Sequence, residues 1–129
     1  MKLVNSEWEL TYNPAKLQLD AANAINCMPN ISNETVKVGS GVIKGNFAYG
    51  NTLKDFSTNK TFIKVYFKVL GNSNATVNLK VNKLGVGYMS NNKLVGRVAV
   101  EDGVVKNLTS YAGFEKLAIT RATKATKVA

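Results

Sequence analysis

Residues 4–12 read Val-Asn-Ser-Glu-Trp-Glu-Leu-Thr-Tyr, with Val4, Trp8, Leu10 and Tyr12 at even positions and Asn5, Glu7, Glu9 and Thr11 at odd ones. Successive side chains of a strand point to opposite faces, so this pattern makes one face apolar and the other polar. A helix would scatter the same residues around its circumference. The segment therefore reads as a half-buried strand, closed by Asn13-Pro14, because Pro lacks the amide donor that a sheet ladder needs. Trp8 falls on the apolar face and reads as core.

The alternation recurs. Ile63, Val65, Phe67 and Val69 share one face, with Lys64, Tyr66 and Lys68 on the other. Gly71-Asn72-Ser73-Asn74 is a turn signal, after which Ala75, Val77, Leu79 and Val81 alternate with Thr76, Asn78, Lys80 and Asn82. These two segments read as a hairpin or as a pair that switches sheets. Lys93–Val100 is a further strand, and Glu101-Asp102-Gly103 turns the chain into another over Val104–Leu108. Thr35–Tyr49 holds two β-rich pieces split by Gly39-Ser40-Gly41, with Gly45 marking a bulge or a close backbone approach. Leu17–Ile25 reads as a strand from the alternation of Leu17, Leu19 and Ala21. Gly85-Val86-Gly87-Tyr88-Met89 lacks the ending of a phosphate loop and reads as a loop between strands. No amphipathic helix stands out, and seven or so short strands spaced by Gly/Asn/Ser turns argue for an all-β sandwich.

The 129 residues suit one domain. We place a β-sandwich domain at 1–113 and a C-terminal segment at 114–129. In that segment Phe114, Leu117 and Ile119 suggest an extra strand, and Thr120–Ala129 resembles a basic linker. No apolar run approaches the roughly 20 residues of a membrane span, and Met1–Glu9 does not read as a signal peptide.

Composition narrows the chemistry. The chain has no His and one Cys, so the commonest general base and a Cys-based zinc site are both missing. Cys27 reads as a small apolar residue, with no His to activate it as a nucleophile. Glu7 and Glu9 stand about 6–7 Å apart on one strand face, near the spacing of paired glycosidase carboxylates. An open strand face offers no cleft, so they read as a solvated pair. Asp20, Asn23, Asn26 and Asn30 lack the spacing of a calcium loop. These points favour a non-enzymatic chain without cofactor or metal. The net charge is +9, yet Lys supplies all but two of the seventeen basic residues, the exceptions being Arg97 and Arg121. Phosphate and base recognition favour Arg, and the Lys residues read as a solvated face rather than a nucleic-acid footprint. Sequons begin at Asn30, Asn33, Asn59, Asn74 and Asn107.

Three segments resemble the cohesin modules of bacterial cellulosomes and gut-bacterial surface proteins. They are Trp8-Glu9-Leu10-Thr11-Tyr12-Asn13-Pro14-Ala15-Lys16-Leu17, the stretch Phe62–Gly71 with Ala75–Leu79, and Val100-Glu101-Asp102-Gly103-Val104-Val105. The resemblance implies a jelly-roll sandwich at the bacterial cell surface or outside the cell. It also implies a protein partner, a dockerin-type module whose calcium belongs to the partner. The family's Asn-x-Asp pair before this strand end faces the dockerin, and here Asn5 and Glu7 occupy the matching positions. The strand expected beside it adds Lys64 and Tyr66, giving a partner-binding set of Asn5, Glu7, Lys64 and Tyr66.

The chain departs from the family in having three residues, not two strands, before the strand at Val4–Tyr12. The gap would be filled by the tail from Phe114, by strand exchange in a homodimer, or by a strand from another protein. The tail is the preferred filler. Two other functions stay open. One is polysaccharide binding on a related scaffold, although Tyr49, Phe56, Phe62, Tyr66 and Tyr88 form no evident aromatic row. The other is a structural spacer.

Overall fold

The computed structural model describes residues 2–20, 25–27, 34–47, 54–55, 63–71, 75–119 and 123–125. They contain no helix. Twelve strands run in the order β1 (Lys2–Tyr12), β2 (Leu17–Leu19), β3 (Ile25–Cys27), β4 (Glu34–Gly39), β5 (Val42–Phe47), β6 (Lys54–Asp55), β7 (Ile63–Val65), β8 (Phe67–Val69), β9 (Ala75–Ser90), β10 (Lys93–Glu101), β11 (Val104–Val105) and β12 (Lys124–Ala125).

One large antiparallel sheet has the order β11-β10-β9-β1-β5-β4, with β6 beside the start of β1 and β12 beside the start of β9. β1 lies in its middle, paired along Ser6–Thr11 with β5 and from Lys2 to Tyr12 with β9. Its even residues Val4, Ser6, Trp8 and Leu10 are buried, while Asn5 and Glu7 are exposed, as the alternation requires. Leu3 is buried as well, because the register with β9 shifts between Leu3 and Asn5 and returns Leu3 to the inner face opposite Val86.

Tight turns join neighbouring strands. β4 and β5 form a hairpin over Ser40-Gly41, with Gly41 at φ 76°. β9 and β10 turn at Asn91-Asn92, both at positive φ (52° and 62°), and β10 and β11 turn at Asp102-Gly103 (50° and 78°). Consecutive positive φ values give the two-residue turns whose twist suits a hairpin.

A second, thinner layer consists of two antiparallel pairs, β2 with β8 and β3 with β7. Backbone bonds from Asp20 N–H to the Tyr66 carbonyl and from Leu70 N–H to the Lys16 carbonyl, both 2.9 Å, extend the first pair. Ile63, Val65, Phe67 and Leu19 pack from this layer against the large sheet's buried Leu3, Trp8, Leu10, Ile43, Val81, Leu84 and Val86. The Tyr12 and Phe67 rings meet at 4.8 Å between centroids and tie the two layers together.

Several expectations change here. Residues 63–69 do not lie beside β1, whose neighbours are β5, β6 and β9. The segments before and after Gly71 form the sheet-switching pair, not a hairpin, since β8 belongs to the thin layer and β9 to the large sheet. Residues 85–89 are not a loop but the second half of the 16-residue β9. A side chain at Gly87 would run into the Val95 carbonyl, 2.5 Å from where its Cβ would sit, and one at Gly85 would have to displace the exposed Asn5 amide, whose Oδ1 lies 2.6 Å away. The strand expected over Val104–Leu108 ends at Val105. Asn23, Asn30, the turn residues 72–74, Tyr49, Phe56, Phe62 and the sequons at Asn30, Asn33, Asn59 and Asn74 lie outside the described residues.

The C-terminal segment reaches the core without forming the strand expected at Phe114–Ile119. Leu108 and Phe114 are buried in the main cluster, and Leu117 and Ile119 pack against it half-buried. Backbone bonds from Tyr111 to Leu108 and from Phe114 to Tyr111 turn the segment over itself, and the Tyr88 hydroxyl donates to the Ala112 carbonyl at 3.2 Å. The strand the segment does form, β12, falls where a linker was expected. It adds to the large sheet beside Ala75 and Thr76, with the Val77 N–H donating to the Thr123 carbonyl at 2.8 Å.

Candidate partner-binding faces

The outer face of the large sheet is built from the odd residues of β1 and their cross-strand neighbours. Asn5 stands opposite Gly85, with its amide laid over the glycine backbone. Glu7 lies between Asn46 of β5 and Lys83 of β9, and Glu9 between Lys44 and Lys80. Lys44 Nζ approaches Glu9 at 3.9 Å, with the Lys44 side chain exposed and that of Glu9 partly so, a contact worth about 1 kcal/mol or less. Glu7 is exposed and Glu9 half-buried, and each has a lysine across the strand pairing. Two flanking strands hold this row of β1 by its backbone, as flanking strands also hold β5 and β9.

Lys64 and Tyr66 sit elsewhere. Ile63, Val65 and Phe67 of the thin layer face the large sheet, so the residues alternating with them turn to the far side. Lys64 is exposed, and its Nζ lies 5.1 Å above the half-buried Tyr66 ring. The fold thus brings Asn5 and Glu7 together and Lys64 and Tyr66 together, but puts the two pairs on opposite surfaces. The placement of 63–69 beside β1 had merged them.

Trp8 is 1% exposed, its indole lying flat against Gly45 on the inner face. The close approach explains that glycine, and the burial removes Trp8 as a sugar platform. Among the described residues no group of three or more His, Cys, Asp or Glu is placed to hold a metal ion. At the sequon beginning with Asn107, the Asn107 Oδ1 accepts bonds from the Thr109 N–H at 3.1 Å and hydroxyl at 2.8 Å.

Alternation did not single out one further surface. Met89, Leu94, Val98 and Val104 are exposed apolar residues gathered on β9, β10 and β11. On the other face of β10 Arg97 stacks on Tyr111, 3.8 Å from the ring centroid. The sequence signal was the rarity of Arg in a Lys-rich chain. No protein-family model matches the chain, and no curated protein sequence matches it.

Proposed function

We propose that this chain is a non-catalytic interaction module of cohesin-like jelly-roll type. In this reading it binds a dockerin-like protein module through the outer face of the large sheet. One observation carries the reading. Asn5 and Glu7, which match the family's contact pair, stand exposed and side by side on the central strand of that sheet. Asn5 supplies an amide, Glu7 a carboxylate, and the flanking lysines a charge pattern that would orient a partner. In such an assembly the module would work outside the cell or at a bacterial surface, and calcium would be needed by the partner alone.

The test is a binding screen of the full chain against a panel of dockerin modules in calcium buffer. The double variant Asn5→Ala/Glu7→Ala should weaken capture more than tenfold. Its melting temperature should stay within a few degrees of the parent, because exposed positions change stability by about 0.5 kcal/mol or less. Tyr66→Ala, on the opposite surface, should leave capture unchanged. Capture of no dockerin, or capture indifferent to Asn5 and Glu7, refutes this site. A polysaccharide screen run beside it reads the competing sugar reading, which predicts loss with Tyr66→Ala and no calcium dependence.

A further inference from the structure

Among the described residues, one side of β10 is largely unpaired. β9 pairs with one side of it along its length, whereas β11 meets the other side only at Val100 and Glu101. The Lys106 N–H then takes the Ala99 carbonyl at 2.8 Å. From Lys93 to Val98, no described residue pairs with the outer side. The Val95 carbonyl points across to Gly87, so Lys93, Val95 and Arg97 bond towards β9. The alternate residues Leu94, Gly96 and Val98 turn their N–H and C=O groups outward. Such a row is a template for an added strand.

The side chains along this edge also fall into two sets. On the outer face Leu94 is 37% and Val98 50% exposed, beside Met89 at 48%. On the other face Lys93 and Arg97 lie four residues apart, about 13 Å along the strand. Arg97 stacks on Tyr111, and a stacked guanidinium keeps its N–H fork free in its own plane. Neither ion pair in the described structure involves Arg97 or Lys93. Fifteen of the seventeen basic residues are Lys, so this edge carries a planar, positioned cation in a chain whose other cations are, Arg121 apart, flexible lysines.

We infer that the Lys93–Val98 edge of β10 receives an extended acidic segment of a partner protein by strand addition. The segment's main chain bonds to Leu94, Gly96 and Val98. Acidic residues four apart face Lys93 and Arg97, the latter in a bidentate pair, and the two β-branched residues that alternate with them stand opposite Leu94 and Gly96, the second also reaching Val98 diagonally. The occupant is acidic because the edge and the whole chain are basic, with a net charge of +9. A second copy would set one Lys93–Arg97 row against another. The edge lies two strands from Asn5, with Gly85 between Asn5 and Val98 in one cross-strand row; the tests use different variants, Asn5→Ala/Glu7→Ala there and Lys93→Ala or Arg97→Ala here, so the two readings fail separately.

The test is fluorescence anisotropy of the full chain with a labelled peptide built on Glu-Val-Thr-Val-Glu, at low salt. Saturable binding is expected, weakened at least tenfold by Arg97→Ala, by Lys93→Ala, and by a peptide with Lys in place of Glu. N-methylating the alternate peptide amides that face β10 should abolish binding, while methylating the other set should not. Circular dichroism checks that each variant is folded, and Lys93→Ala keeps the test open if Arg97→Ala unfolds the Tyr111 contact. No saturable binding overturns the proposal, as does equal binding of both methylated peptides. A doubled mass in light scattering that Val98→Lys abolishes also overturns it, in favour of a second copy.

Discussion

Trp8 and Gly45 face each other across β1 and β5, and the indole occupies the space where a side chain on residue 45 would begin. Trp8 is among the largest fully buried side chains, so it has nowhere to retreat. A methyl group there must push the ring out of its site or bend the central strand pair, and overpacking of this kind costs about 1–3 kcal/mol. Gly45→Ala should therefore lower the urea midpoint by an amount equal to about 2 kcal/mol or more, with an unchanged slope. The contrast is Gly71, whose φ is 128° but where an added Cβ meets nothing; there the cost is backbone strain alone. Equal stability of Gly45→Ala and the parent would mean that Trp8 does not lie as described. At the same scale, Ser6 is the exception in the buried row of β1. Its hydroxyl has no hydrogen-bond partner among the described residues.

Hairpins show at the scale of elements what the sequence could convey. Asp102-Gly103 carries the strongest two-residue turn signal, and the turn and the strand before it were legible, whereas the strand after it runs only from Val104 to Val105 rather than to Leu108. Asn91-Asn92 makes the same kind of turn with both residues at positive φ, yet it lacks the glycine that would mark it. The break was read instead at Gly85–Met89, where the glycines serve close approach by Asn5 and by the β10 backbone. Asn tolerates the left-handed region better than Ala does, and Gly better still. Asn92→Ala should thus destabilise the chain by about 1 kcal/mol, while Asn92→Gly should be neutral or stabilising; an Ala variant as stable as the Gly variant would contradict the turn. Burial faces were equally legible, because period two fixes them residue by residue: Trp8, Leu10, Val77 and Val81 are all inside. Pairing partners were not. Residues 63–69 present the same alternation whether they flank β1 or form a separate layer, and that ambiguity merged Lys64 and Tyr66 with Asn5 and Glu7.

At the scale of the whole molecule, the question is what closes the core under the large sheet. The thin layer supplies half-buried Ile63, Val65, Phe67 and Leu19, and at the β9–β10 end the covering residues come from beyond β11. Phe114 is 7% exposed and meets Tyr88 at 5.6 Å between ring centroids, with Leu108 buried in the same cluster. The segment contributes this cover without a strand of its own, so its apolar residues could be assigned to the core from sequence but its path could not. If it is an integral layer, Phe114→Ala should cost about 3–5 kcal/mol, the usual range for emptying a buried aromatic site. A chain ending at Gly113 should lose more, since Leu117, Ile119 and β12 go as well. For a domain of this size, a few kcal/mol corresponds to a melting-temperature drop of roughly 10 °C or more. Thermal melts of the parent, Phe114→Ala and the shortened chain, followed by circular dichroism, measure this directly. A shortened chain that melts within a few degrees of the parent would show that residues 2–113 close their own core, and that the segment from Phe114 onward only rests on a finished domain.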